Sequence, residues 1–61
     1  MTLKEYRIKN NLKLADIARL LDKSVSWVWL AENEVKISQK SKEYISKKIG
    51  IPVEELFPKK N

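Results

Sequence analysis

The stretch that decides the fold is residues 14–32, which read LADIARLLDKSVSWVWLAE. Its first half carries apolar residues at the i, i+3, i+4, i+7 spacing of one buried helix face, namely Leu14, Ile17, Ala18 and Leu21. Residues 22–23 then form a short turn, and Ser24 is a residue type that caps the start of a following helix. The stretch therefore predicts two helices, over residues 14–21 and 25–32, joined by a tight turn.

The chain before this stretch predicts one further helix. Thr2 and Glu5 form a capping-box pattern, which is typical of a helix that starts at once. The pair Asn10-Asn11 suits a helix end, because asparagine tolerates the left-handed backbone conformation found there. We therefore expect a first helix over residues 3–10.

The chain after this stretch predicts two helices. Ser38 or Ser41 can cap a helix that ends at Gly50, since glycine is the preferred residue just past a helix C-terminus. Pro52 suits the first position of a last, short helix that ends near Phe57.

These patterns predict an all-α fold in a single small domain. The chain has 61 residues, which allow one domain at most. We expect a compact five-helix domain over residues 1–57, followed by a short basic tail, residues 58–61. The predicted helices cover residues 3–10, 14–21, 25–32, 39–49 and 52–57.

The chain is basic, and some of its lysines are clustered in one stretch, residues 36–48. Lysine and arginine number 13 against 8 aspartates and glutamates, which gives a formal net charge of +5. Five lysines fall in a segment with Glu43 as its single acidic residue: Lys36, Lys40, Lys42, Lys47 and Lys48. Such a cluster is typical of a protein that binds a polyanion, but it is equally typical of a solvated helix face.

The residue types that serve catalysis and metal binding are scarce. The chain has no cysteine and no histidine, which excludes disulfides and the commonest metal ligands. Ser24 and Ser26 have no histidine or other suitably placed base, and no glycine-rich loop is present to hold a nucleotide. We therefore expect no enzyme activity, no cofactor, no metal and no small-molecule substrate.

The chain also shows no sign of a membrane segment. No apolar run is long enough to span a bilayer, and the first residues lack the apolar core of a signal peptide. This pattern favours a cytoplasmic protein with no membrane partner.

Two short helices joined by a turn of three or four residues form a helix-turn-helix, although many small bundles contain similar hairpins. From Arg7 to Phe57 the chain resembles the repressor/Cro-type (XRE-like) helix-turn-helix family. The resemblance rests on Arg7, Leu12, Ile17-Ala18, Leu21, Ser24, Val28, Glu32-Asn33, Ile45, Ile49-Gly50-Ile51 and Glu55-Leu56-Phe57. It implies a lambda-repressor-like domain, encoded by a phage, mobile element or bacterium, that regulates transcription by occupying a duplex DNA operator.

The resemblance also implies roles for single residues. Helix 25–32 corresponds to the recognition helix, which enters the major groove, and family members commonly bind paired half-sites as homodimers. Arg7 and Glu32 match an internal ion pair that ties the first helix to the end of the recognition helix. Candidate phosphate-binding groups lie around this helix, partly on family positions and partly on the tendency of helix N-termini to hold phosphate: Lys13, the main chain of Leu14, Asn33, Lys36 and Lys40.

Four positions depart from the family's pattern. Lys13 replaces a common threonine or serine, which removes a helix cap. Leu14 replaces a common glutamine, which removes a side-chain contact to phosphate. Asp22 replaces a frequent glycine in the turn, at some cost to the backbone. Lys42 replaces a position that is often apolar, so we expect the fourth helix to pack less well.

The predicted recognition helix offers few hydrogen-bonding groups. With Val28 and Ala31 as its inward face, Ser26 and Leu30 point outward at 100° per residue. Trp29 lies on the flank, while Trp27 comes round toward the core edge. Base edges are read mainly by hydrogen bonds, so this composition is unusual for a base-reading helix.

Three interpretations of this helix remain open. In the first, Val25, Trp29 and Leu30 contact thymine methyl groups and sugar edges, and Ser26 supplies a polar contact. In the second, the apolar residues form a protein interface, as in an antirepressor or adaptor. In the third, the helix is rotated so that Trp27 and Trp29 both pack in the core.

The C-terminal segment carries more apolar residues than a frayed end needs. Val53, Leu56 and Phe57 are expected to close the core. Any surplus among them would form a two-fold surface between the subunits of a homodimer.

Overall fold

A computed structural model describes residues 1–58, and these residues fold into five helices with no strand. The helices are α1 Leu3–Lys9, α2 Leu14–Leu21, α3 Val25–Glu32, α4 Gln39–Ile49 and α5 Val53–Leu56. The expected all-α fold is confirmed, whereas residues 59–61 of the expected basic tail lie outside the described residues. Within residues 1–58, no helix combines the length and the apolar character needed to cross a membrane.

The predicted bounds agree for α2, α3 and α4 and differ slightly for the two outer helices. α1 ends at Lys9, one residue earlier than expected. α5 begins at Val53, because Pro52 adopts an extended conformation and is the N-cap instead of the first helical residue. Phe57 is likewise outside α5, as its C-cap.

Short polar side chains start three of the helices. The Thr2 backbone N–H donates to Glu5 Oε1 at 2.8 Å and the Glu5 N–H donates to Thr2 Oγ1 at 3.2 Å, so the predicted capping box forms. These hydrogen bonds to Thr2 hold the pKa of Glu5 below its usual range. Ser24 caps α3, and Ser38, one of the two serines considered, caps α4.

Three helices end in the same way, with a left-handed residue that is not glycine. Asn11, Asp22 and Glu34 have φ values of 55°, 57° and 52°. At each end the following N–H reaches back five residues, as from Val35 to the Leu30 carbonyl at 2.9 Å. This pattern is the Schellman motif, which glycine normally closes because it lacks a Cβ. Gly50, with φ 86°, ends α4 as expected.

The core is a single cluster to which every helix contributes. Its buried members are Leu3, Ile17, Ala18, Leu21, Val28, Ala31, Ile45, Leu56 and Phe57. The Cα radius of gyration is 10.5 Å, about the 10.5 Å expected of a folded domain of this length. The Tyr44 hydroxyl donates to the Leu21 carbonyl at 2.6 Å and so ties α4 to the end of α2.

The C-terminal segment corrects one prediction. Leu56 and Phe57 are only 2% and 5% exposed, so their side chains belong to the core and cannot form a dimer surface. Val53 is half-buried and packs against the same cluster. The Lys42 ammonium lies 5.6 Å from the centroid of the Phe57 ring, within the range of cation–π attraction.

Candidate nucleic-acid interface

The candidate interface is built on α2 and α3, which residues 22–24 join. These two helices pack against each other more extensively than any other pair. Val28 and Ala31 form the buried side of α3. The Ser24 hydroxyl accepts a hydrogen bond from the Trp27 N–H at 3.1 Å, which fixes the start of α3. The buried side and the cap together set which face of α3 is turned outward.

An ion pair fixes the other end of α3. Arg7 Nε and Nη2 donate to the two carboxylate oxygens of Glu32 at 2.6 and 3.2 Å, and Arg7 Nη1 donates to the Leu12 carbonyl at 3.3 Å. The side chains are 17% and 4% exposed, so the pair is largely shielded from water. The Glu32 carboxylate raises the pKa of Arg7 above its usual value. The predicted ion pair between α1 and α3 is therefore confirmed.

The outward face of α3 consists of Val25, Ser26, Trp29 and Leu30, the four residues predicted to face DNA bases. All four are exposed, and Trp29 is 50% exposed. Since Trp27 alone packs against the core, the interpretation that buries both tryptophans is wrong. The interpretations as a DNA-reading face and as a protein interface both stay open.

The outward face borders a shallow concavity, which we call the α3 concavity. Its volume is about 360 Å³, and it is lined by Leu14, Val25, Ser26, Trp29 and Leu30. The Leu14 side chain, at the start of α2, thus joins the four predicted residues. Sequence reasoning had considered only the main chain of Leu14, because periodicity placed its side chain on the buried face of α2.

The start of α2 is less free to hold a phosphate than its position suggests. The Lys13 backbone N–H donates to Asp16 Oδ2 at 2.7 Å, which is one half of a capping box; the other half, which a serine or threonine side chain at position 13 would provide, is missing. Asp16 also lies 3.7 Å from Arg19. A carboxylate at this helix end lowers its attraction for a second anion, which weakens the case for the main chain of Leu14.

The predicted phosphate-binding lysines are exposed and two of them adjoin α3. Lys36 shares a concavity of about 140 Å³ with Leu30 of the outward face. Lys40 lines another, of about 230 Å³, together with Trp27 of α3. Lys13 is exposed beside Leu14 at the start of α2. Lys36 therefore borders the outward face, whereas Lys40 lies on the Trp27 side of α3.

Sequence reasoning missed Lys23, which lines the same concavity as Lys40. Its ammonium group lies 5.3 Å from the centroid of the Trp27 ring and 5.5 Å from that of Tyr44. Both distances are within the range of cation–π attraction, which holds the charge at the start of α3. The available signal was its position directly before the N-cap Ser24.

The remaining predicted phosphate contact, Asn33, is exposed but partly engaged. Its Nδ2 group donates to the Trp29 carbonyl at 2.9 Å and caps the end of α3. One of the two amide hydrogens stays available to a ligand. Residues 1–58 bring together no group of three or more potential metal-ligating side chains.

Comparisons with known proteins identify no relative. No family model matches the chain, and neither curated proteins nor solved structures give a significant match. The case for a function therefore rests on the residues and geometry described above.

Proposed function

We propose that this protein binds duplex DNA through α3 and regulates transcription as repressors of the helix-turn-helix type do. The observation that carries the proposal is the presentation of α3. Its buried side, its Ser24 cap and its ion pair at Glu32 fix its orientation, with the opposite face open and Lys36 beside it. A rigid exposed helix of this kind is what enters a major groove.

The charge around α3 supports the same function. Between Asp22 and Glu32 the only charged residue is Lys23. The Glu32 carboxylate is neutralised by Arg7 and turned away from solvent. With a net charge of +5, the domain favours association with a phosphate backbone.

In this proposal α3 supplies base contacts and the lysines supply phosphate contacts. Lys13, Lys23, Lys36 and Lys40 position the protein on the backbone, while Val25, Ser26, Trp29 and Leu30 meet the bases. We further propose that two copies bind a paired half-site, and that the protein acts in the cytoplasm as the repressor of a phage, mobile-element or bacterial operator. Occupying the operator blocks polymerase.

A selection from a random duplex DNA pool tests the proposal. The purified protein is incubated with the pool at low and at near-physiological salt, and bound duplexes are sequenced. We expect a paired half-site to be enriched at both salt concentrations. Binding that is confined to low salt, with no enriched motif, would mean that the protein binds DNA only through nonspecific electrostatic attraction, and it would contradict the proposal.

Matched variants separate the two kinds of contact. Replacing Lys40 by alanine should weaken binding to all duplexes alike. The slope of the logarithm of the binding constant against the logarithm of the salt concentration is negative, and its magnitude should fall by about 0.9. Replacing Ser26 or Leu30 by alanine should instead change which duplexes are preferred. An equal loss on every duplex for all three variants would refute this division.

A second candidate function is a protein-interaction module of the antirepressor or adaptor type. The observation that favours it is the exposure of apolar side chains on and beside α3, namely Val25, Trp29, Leu30 and Val35. Salt dependence distinguishes the two functions. Phosphate contacts weaken steeply as salt rises, whereas an apolar protein contact changes little.

A further inference from the structure

We propose that the α3 concavity reads the 5-methyl group of a pyrimidine in the major groove. This inference rests on the proposed DNA binding and names the chemical feature that the site selects. The occupant is the methyl group of thymine or of 5-methylcytosine. The concavity receives it between the side chains of Leu14, Val25, Trp29 and Leu30.

The chemistry of the lining points to a methyl group. Four of the five lining residues are apolar, and Ser26 is the single polar one. Among the groups that bases present in the major groove, the C5 methyl of thymine is the one apolar feature. Every other feature is a hydrogen-bond donor or acceptor, which apolar walls would desolvate without a partner.

Ser26 makes the methyl group the deciding feature. A serine hydroxyl both donates and accepts hydrogen bonds. It therefore satisfies either the O4 acceptor of thymine or the N4 amino group of cytosine, and it does not distinguish them. Discrimination falls to the apolar walls, which gain free energy only when a methyl group leaves water.

The charges around the concavity favour DNA as the molecule that carries the methyl group. Lys13 precedes the lining residue Leu14, and Lys36 shares a second concavity with the lining residue Leu30. The only acidic residue of α3 is Glu32, which is paired with Arg7. Asp16, which follows Leu14 in the first turn of α2, lies 3.7 Å from Arg19. An apolar patch bordered by Lys13 and Lys36 complements a base edge between two phosphate backbones.

The size of the concavity suits a base edge. Its volume of about 360 Å³ is roughly twelve times the volume that one water occupies in the liquid. The concavity is therefore wide enough to receive more than one methyl group.

The test uses the duplex enriched by the selection described above. Each of its thymines is replaced in turn by deoxyuridine, which removes only the methyl group. At the most sensitive position, 5-methylcytosine and cytosine are also placed, each opposite guanine. We expect the affinity to fall about fourfold for each methyl group lost, both from thymine to deoxyuridine and from 5-methylcytosine to cytosine.

Variants of the protein locate the effect. Trp29→Ala and Leu30→Ala remove walls of the concavity at exposed positions, so both should fold normally and lose the preference for thymine over deoxyuridine. Ile8→Ala is the matched control, because Ile8 is an exposed apolar residue of α1 outside the concavity. The ratio of the two affinities is the readout, since a general loss of binding leaves it unchanged.

Each alternative outcome is decisive. Equal binding of the thymine and deoxyuridine duplexes would overturn this inference and leave DNA binding intact. So would a preference that survives in both wall variants, or 5-methylcytosine binding no better than cytosine. A selection that enriches no duplex would contradict the proposed function itself, with an apolar protein partner as the remaining occupant.

Discussion

α2 and α3 have the same length, 8 residues each, and they pack against each other, but their apolar residues do different things. In α2 the buried residues form one face, and Leu20 is the one large apolar residue of this helix that is exposed. In α3 apolar residues occupy both the buried side and the outward face. The large apolar side chains of α2 therefore serve the core with one exception, whereas three of those of α3 are exposed on the face that we propose to contact DNA.

The first way to break this comparison is to truncate the buried face of α2. Leu21 is fully buried, and Leu21→Ala should lower the free energy of unfolding by about 2–5 kcal/mol through lost burial and a cavity. The total for a chain of this length is about 3–9 kcal/mol, so the variant should be partly unfolded at room temperature. Urea unfolding followed by circular dichroism measures the change.

The adjacent leucine is the matched control for this variant. Leu20→Ala makes the same chemical change at an exposed position and should alter stability by no more than about 0.5 kcal/mol. If the two alanine variants were equally destabilised, the separation of faces in α2 would be wrong.

The second prediction concerns the ion pair that holds the end of α3. Arg7→Ala leaves the shielded Glu32 carboxylate without its partner. Breaking a fully buried pair costs about 3–5 kcal/mol, and the partial exposure of Arg7 should reduce this cost to roughly 2–3 kcal/mol. The midpoint of thermal or urea unfolding reports the effect.

Replacing both partners separates the charge from the packing. The double variant Arg7→Met/Glu32→Leu removes both charges while keeping similar volume, and it should recover most of the lost stability. A double variant as unstable as Arg7→Ala would show that the hydrogen bond from Arg7 to the Leu12 carbonyl matters more than the pair.

The third prediction compares the two faces of α3 with the same substitution. Val28 is fully buried and Val25 is exposed, one turn earlier. Val28→Ala should cost about 1–3 kcal/mol of unfolding free energy, and Val25→Ala no more than about 0.5 kcal/mol. Urea unfolding of the two variants checks this, and a similar loss in both would mean that the outward face also supports the fold.

Much of the fold follows from local patterns. The bounds of α2, α3 and α4 are marked by periodicity, by serine caps and by Gly50, all of which act over a few residues. The pairing of Arg7 with Glu32 came instead from the family resemblance. Periodicity carries no information on a contact between side chains 25 residues apart.

Other features depend on the tertiary arrangement and could not be predicted in this way. Whether Leu56 and Phe57 are buried or form a surface depends on how much core α2 and α4 leave uncovered. The Leu14 side chain reaches the outward face of α3 only because α2 and α3 cross as they do. The Lys23 ammonium group is positioned by two aromatic rings, one of which belongs to α4.

The fourth and smallest effect compares the ends of α2 and α3. Asp22 and Glu34 both hold left-handed backbone conformations, with φ values of 57° and 52°. Aspartate tolerates this conformation because its short side chain can hydrogen-bond locally, whereas glutamate pays a larger part of the cost of about 1–2 kcal/mol. A substitution by glycine removes that cost. Part of the gain in stability is lost, because glycine has greater conformational freedom in the unfolded chain.

We therefore expect Glu34→Gly to raise the free energy of unfolding by about 0.5–1 kcal/mol and Asp22→Gly to raise it by less. Glu34→Gln serves as the control for charge, because a negative side chain at a helix C-terminus is itself slightly unfavourable. Glycine should stabilise more than glutamine if the backbone is the cause. If Glu34→Gln gave the whole gain in stability, the unfavourable contribution at the end of α3 would come from the charge of Glu34. The backbone conformations of Asp22 and Glu34 would then cost the same.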